Sequence, residues 1–190
     1  MPRAFTTYFP VPDMAKLDVV GVPIPFMPGG PHRSLPSFAR RKITSGDIVY
    51  LVGIRKGTLY RLARITVAEI LTLDAFLERF NEHPEDGPNF RSRDAFPTGF
   101  GATLRTWPAW NFFFSTCTDE VLLAADSTPL SMDYPVPVEI LTQLQHIGKA
   151  GTRPIAKILH DGKITSATSL QGIYQLTDES TALLDSLQVS

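Results

Sequence analysis

Ser115 and Cys117 follow an apolar run, and a hydroxyl or thiol presented there could act as a nucleophile if His146 or His160 served as its base. The surrounding residues do not build that arrangement. There is no G-x-S-x-G elbow with its strand-to-helix turn, and a cysteine inside an aromatic strand ordinarily serves as an inert core group. Metal chemistry has no better support, because His32, His83, His146, His160 and the single cysteine show none of the paired spacings that zinc sites use. Gly29-Gly30 and the set Gly99, Gly101 match neither the phosphate-cradling G-x-x-x-x-G-K-[ST] nor a G-x-G-x-x-G set between a strand and a helix. The sequence therefore assigns no catalytic residue, no metal and no cofactor, and the balance falls on binding rather than catalysis.

Two residue sets suit binding. The stretch RTWPAWNFFFSTC, residues 105–117, holds two tryptophans and three consecutive phenylalanines. Read as a strand, it sends Trp110, Phe112 and Phe114 to one face and Ala109, Asn111, Phe113 and Ser115 to the other. The first face reads as a core row, since most large rings at this density are packing. Trp107 precedes Pro108, stands outside the alternation and adjoins a long glycine-containing loop, which leaves its ring open to a ligand. Aromatic faces stack on nucleobases at roughly 1–3 kcal/mol per base, and Asn111 or Ser115 could then read a base edge. The expected ligand-binding residues are Trp107, Trp110, Asn111 and Ser115.

The second set is basic. Arg33, Arg40, Arg41, Lys42, Arg55, Lys56, Arg61 and Arg64 are opposed only by Asp47 between positions 33 and 64, although the formal net charge is -1. A local basic face can therefore exist on a nearly neutral protein. The expected contacts to a nucleic-acid backbone are Arg40, Arg41, Lys42, Arg55, Lys56 and Arg61. Chance clustering of solvated charge is the plain alternative.

Positioning these groups requires a scaffold, and most of its elements read as strands. In SGDIVYLVGIRKGTLYRLARITVAEI, a turn at Ser45-Gly46-Asp47 opens a strand from Ile48 to Ile54. Arg55-Lys56-Gly57 then turns the chain into a return strand from Leu59 to Val67, which makes a β-hairpin. Strict alternation on that return strand puts Arg61 with Leu59, Ala63, Ile65 and Val67 on the more apolar face. Leu17 to Phe26 reads as an edge strand among many prolines. Leu73, Phe76, Leu77 and Phe80 predict a helix over 72–83 with Thr72 as its N-cap. Residues 83–104 read as a long loop, VLLAA as a short strand, and Val138 to Ile147 as a helix stopped by Gly148. RPIAKIL and a strand over 165–175 are joined by a turn at His160-Asp161-Gly162, and Thr177-Asp178-Glu179 caps a last helix carrying Leu183, Leu184 and Leu187. Strands interrupted by two or three short helices predict an α+β domain on a curled or closed sheet.

At 190 residues, with 43% hydrophobic and 19% charged, the chain can bury a real core without metal or disulfide staples. One cysteine permits no internal disulfide, the N-terminal sequence has prolines where a secretory signal needs an apolar stretch, and no apolar run approaches membrane-spanning length. A soluble, cytoplasmic protein is expected, with no membrane partner.

The segment Ser45-Gly46-Asp47-Ile48-Val49-Tyr50-Leu51 and its return Leu62-Ala63-Arg64-Ile65-Thr66-Val67 resemble the central hairpin of PUA-like domains, particularly the EVE and ASCH branches. Ser169 to Thr177 also looks like a closing barrel strand with a polar cap. The resemblance implies a small β-barrel with inserted helices, binding RNA or DNA and, in several branches, a modified base in an aromatic-lined pocket. By the same carry-over Gly46 and Asp47 are mainly structural. The proline-rich arm and the long loop depart from the family pattern. The expected organisation is a proline-rich N-terminal arm over 1–37, packed on a single PUA-like α+β domain over 38–190. The leading expectation is a non-catalytic nucleic-acid-binding module with DNA or RNA as partner. An enzyme acting on a nucleotide or other small molecule in the same cavity, and a protein-interaction subunit docking through the arm, are the alternatives.

Overall fold

A computed structural model describes residues 2–11, 20–21, 23–30, 36–79, 119–155, 159–168 and 170–187. The hairpin forms as expected and is the centre of the molecule. Strand β3 spans Ile48–Arg55 and β4 spans Thr58–Thr72, paired antiparallel from Ile48 opposite Thr66 to Arg55 opposite Thr58. On β3, Val49 and Leu51 enter one apolar cluster with Phe5, Phe26, Phe38 and Ile65. Tyr50 and Val52 enter a second with Ala4, Leu59, Leu176 and Leu184. Burial on both faces explains why β3 reads as a continuous apolar run rather than an alternating one.

Part of the N-terminal segment lies within the sheet. Ala4–Tyr8 forms β1, which runs parallel to β3 with Phe5 opposite Val49, and antiparallel to the strand Ile173–Leu176 on its other side. Pro2 and Pro10 bracket the strand without entering it, so the proline count conceals five residues that can pair on both edges. The chain leaving β1 crosses closely over β3 at Gly53, where a Cβ would stand 2.7 Å from Val11 and 2.9 Å from the Phe9 carbonyl. Any larger residue there would force Val11, Leu62 or the Phe9 backbone to shift.

The remaining strands are β2 at Phe26–Gly29, β5 at Glu120–Ser127, β6 at Gln145–Gly148, β7 at Gly151–Pro154, β8 at Leu159–His160, β9 at Lys163–Ile164 and β10 at Ile173–Leu176. Eight of them form one mixed sheet in the order β2-β5-β4-β3-β1-β10-β6-β7, while β8 and β9 pair separately. Among the described residues this sheet is open, so the expected closure into a barrel is not made by strand pairing. Among the described residues three short helices accompany it: α1 at Leu73–Arg79, α2 at Val138–Leu141 and α3 at Asp178–Asp185. Thr72 and Thr177 cap α1 and α3 as expected, accepting from the amides of Ala75 and Ser180 at 3.2 Å in each case.

Two expectations change. The segment expected as one helix over 138–147 is helical only to Leu141, and residues 145–148 form β6 because backbone pairing with β10 and β7 takes them into the sheet. Of the strand expected over 17–26, residues 20–21 form a turn and residues 23–25 make no more than an isolated bridge at Pro23, so the observed edge strand β2 begins at Phe26. The Asp161-Gly162 turn forms with both residues at positive φ, 50° and 73°, the geometry that tight hairpins require.

A β-bulge relocates Arg61. Val52 lies opposite Arg61 while Leu51 lies opposite Ala63, so Leu62 is an extra residue and the facing of β4 reverses there. Leu59 consequently packs in the second cluster, whereas Ala63, Ile65 and Val67 pack in the first.

Candidate nucleic-acid interface

Glu120, the first residue of β5, is buried, and its carboxylate holds the segment that leads into the basic stretch. It accepts hydrogen bonds from the Phe38 amide, from the Ala39 amide at 3.3 Å and from the Ser37 hydroxyl at 3.2 Å. Phe38 is driven into the core beside it. The chain then makes one 3-10 turn at Ala39–Arg41, closed by the Arg41 and Lys42 amides donating back to Phe38 and Ala39. An anchored start and a tight turn leave Arg40 and Arg41 projecting from the surface, both exposed.

The facing wall is built from the approach to β10. Leu170 is buried and its amide donates to the Ala167 carbonyl at 2.9 Å, which fixes the turn. Gly172 has φ of +130°, and a Cβ there would lie 3.3 Å from the Tyr174 ring, so glycine satisfies both the backbone and the ring. The Tyr174 hydroxyl donates to the Gln171 carbonyl at 2.9 Å, holding the ring across the glycine.

Between the walls lies a cleft of about 490 Å³, lined on one side by Gly30, Pro36, Ser37, Arg40 and Arg41 and on the other by Thr168, Gln171, Gly172, Ile173 and Tyr174. That volume suits a small-molecule-sized group. The lining offers two guanidinium groups, hydroxyls and amides, and an aromatic ring, a combination able to hold an anion beside a flat group.

Behind Tyr174 stands His146 of β6, its ring centroid 4.9 Å away and tilted by 49°. Burial pushes the imidazole below its ordinary value and the Arg153 charge adds to that shift. Its Nδ1 is buried without a hydrogen-bond partner among the described residues.

The residues expected from sequence are not all brought together. Arg40 and Arg41 line the cleft, and Lys42 follows them with its carbonyl accepting from the Arg3 guanidinium. Arg55 and Lys56 are exposed at the β3–β4 turn, beside which Gly57 packs against Lys163 of β9. Arg61 leaves the set: it is 9% exposed, donates to the Leu184 carbonyl at 2.6 Å and stacks 4.2 Å from the Tyr134 ring centroid. Trp107, Trp110, Asn111 and Ser115 lie outside the described residues. Sequence reasoning does not single out Ser37, Thr168, Gln171 or Tyr174 for a ligand. The signal for them is the pair Gly172 and Tyr174 at the entry of a short strand, a glycine beside a ring in a segment that already resembles a barrel strand.

An eight-stranded mixed sheet with three short helices and a basic cleft at the approach to β10 defines an α+β domain. Among solved structures the chain is similar to the crystal structure of ASCH from Zymomonas mobilis, with 14% identity, 98% of this chain and 96% of that chain covered, and a TM-score of 0.42. It is also similar to a tyrosine-to-phenylalanine variant of the same Zymomonas mobilis protein, at 12% identity, 97% and 99% coverage and a TM-score of 0.35. No family model matches the chain, and no curated protein matches it. Among the described residues no helix is long and apolar enough to cross a membrane.

Proposed function

We propose that the chain is a non-catalytic nucleic-acid-binding module that takes one nucleotide of a single strand into the cleft. The observation that carries this reading is the placement of Arg40 and Arg41 on one wall, facing Tyr174 on the other. Neither arginine pairs with a carboxylate among the described residues, whereas Arg3, Arg64 and Arg79 pair with Asp47, Asp185 and Glu69. Cations without an internal partner are available to phosphate, and a ring at their side is available to a base. Recognition of a modified base by Trp107, Trp110, Asn111 and Ser115 is the finer part of the proposal. It rests on the sequence pattern of that run.

The test is fluorescence anisotropy with labelled single- and double-stranded RNA and DNA, with and without modified bases, across a salt series. Wild-type protein should bind single strands, and quenching of tryptophan emission should accompany binding. Changing Arg40→Gln and Arg41→Gln together should weaken binding about 10-fold at low salt. The log–log salt slope should flatten by roughly 1.4, or ~0.7 for each phosphate deprived of its cation. If the wild-type protein binds no oligonucleotide at low salt, the proposal is lost.

A further inference from the structure

The geometry points to a second phosphate-binding station on the β6–β7 hairpin, formed by Arg153 and Lys149, so that the bound strand extends past the cleft by a few nucleotides. This rests on the proposed nucleic-acid reading and assigns residues beyond the 33–64 basic segment.

Register shows how the station lies relative to the cleft. Leu176 of β10 is opposite His146 of β6, and His146 is opposite Arg153 of β7. Residues directly opposite share a face, as do alternate residues of one strand, so Tyr174, His146 and Arg153 lie on the same face. The contact between the Tyr174 and His146 rings agrees with that placement. Two strand spacings, ~10 Å, separate the backbones of β10 and β7.

The Arg153 side chain shortens the separation. Its Nε lies 3.6 Å from the point where a Cβ on Gly148 would stand, so the side chain runs back along the hairpin towards the 149–150 turn. Gln175 is opposite Ile147, and the same antiparallel register continued by one residue brings Gly148 level with Tyr174. The turn carrying Lys149 therefore comes at the end of β10 that lines the cleft.

The hairpin also has the surface that such a role needs. All four residues of β7 are exposed, as is Lys149. Among the described residues no carboxylate pairs with Arg153 or Lys149. The resulting series, Arg40 and Arg41, then Tyr174, then Lys149 and Arg153, alternates cation, ring and cation. A single strand has that order of features, with a phosphate to either side of a base.

The experiment compares wild-type protein with a double variant, Arg153→Gln and Lys149→Gln, using labelled mixed-sequence RNA and DNA of two and ten nucleotides. Both substitutions are on exposed positions, and unchanged thermal melting checks the fold. Expected is a fall of about 10-fold in affinity for the ten-mer with a slope flatter by roughly 1.4, and less than about 2-fold change for the two-mer. RNA and DNA arms show which backbone is preferred. Equal ten-mer affinity in variant and wild type, or an equal loss for both lengths, would overturn the second station while leaving the cleft reading intact. Wild-type protein that binds neither length at low salt would overturn both.

Discussion

Replacing Arg61 with alanine is expected to destabilise the protein by about 3 kcal/mol, through a lost charged hydrogen bond and a cavity under a buried side chain. Arg61 holds three parts of the chain together. Its guanidinium donates to the Leu184 carbonyl in the last turn of α3, stacks on Tyr134, and its backbone amide donates to the Tyr134 carbonyl at 3.0 Å. Helix α3 has no basic residue in its own last turn, so the cation that favours its negative end comes from β4. Arg61→Met separates the contributions, since it keeps most of the apolar stem and should cost about 2 kcal/mol for the guanidinium alone. Urea unfolding measures both values. A loss below about 0.5 kcal/mol in the alanine variant would show that the guanidinium contributes nothing to packing. Arg61→Met, assayed below its melting transition, should bind oligonucleotides within 2-fold of wild type, in contrast to the Arg40 and Arg41 variants.

Arg61 also shows where a sequence stops being informative about a strand. The β3–β4 hairpin was legible because the β-branched run, the Gly46 turn and the Arg55-Lys56-Gly57 turn all agree on it. Period-two alternation then assigned Arg61 to the face of Ala63 and Ile65, and one inserted residue, Leu62, reversed that assignment. A bulge leaves no mark in composition, since Leu62 is apolar on either reading. The same limit applied to β1, where Ala4 to Thr7 are buried whichever face they point to and so show no alternation. In β6, the apolar spacing from Val138 to Ile147 fits a helix, and pairing with the adjacent β7 and with β10, some 30 residues on, takes residues 145–148 into the sheet.

For the cleft, the basic half was legible and the aromatic half was not. Arg40 and Arg41 follow a proline and a serine in a polar segment, which marks them as surface. Their orientation depends on Glu120, some 80 residues away, whose carboxylate gathers the Ser37, Phe38 and Ala39 donors. Tyr174 attracts less notice than the tryptophans because a single tyrosine in a short strand is ordinary. Its significance comes from Gly172 and from the opposite wall, and both are tertiary facts.

Asp47→Ala is the second substitution with a large expected effect, about 2–4 kcal/mol of stability. Asp47 is 4% exposed, and its carboxylate accepts from the Thr44 amide and the Arg3 amide at 2.9 Å each and from the Arg3 guanidinium at 2.6 Å. These bonds tie the start of β1 to the turn that opens β3, so removing the carboxylate strands two amides and loosens the parallel pairing. Burial alone would raise the carboxyl above its ordinary value of 3.8, but the Arg3 and Thr44 hydrogen bonds and the Arg3 charge outweigh it and the net shift is downward. A lowered folded-state value means that the unfolded chain binds the proton more readily, so stability rises with pH through that window. The contribution is complete above 3.8, and it is lost as pH falls through the lower folded value. Asp47→Asn removes the titration with little change of shape. Its stability should lie below that of wild type at neutral pH, and the gap should close as acid protonates Asp47 in the wild-type protein. Urea unfolding of both proteins between neutrality and about pH 3 gives that difference directly, cancelling the carboxylates they share. A gap that stays constant across the range would show that the charge on Asp47 has no part in joining β1 to β3.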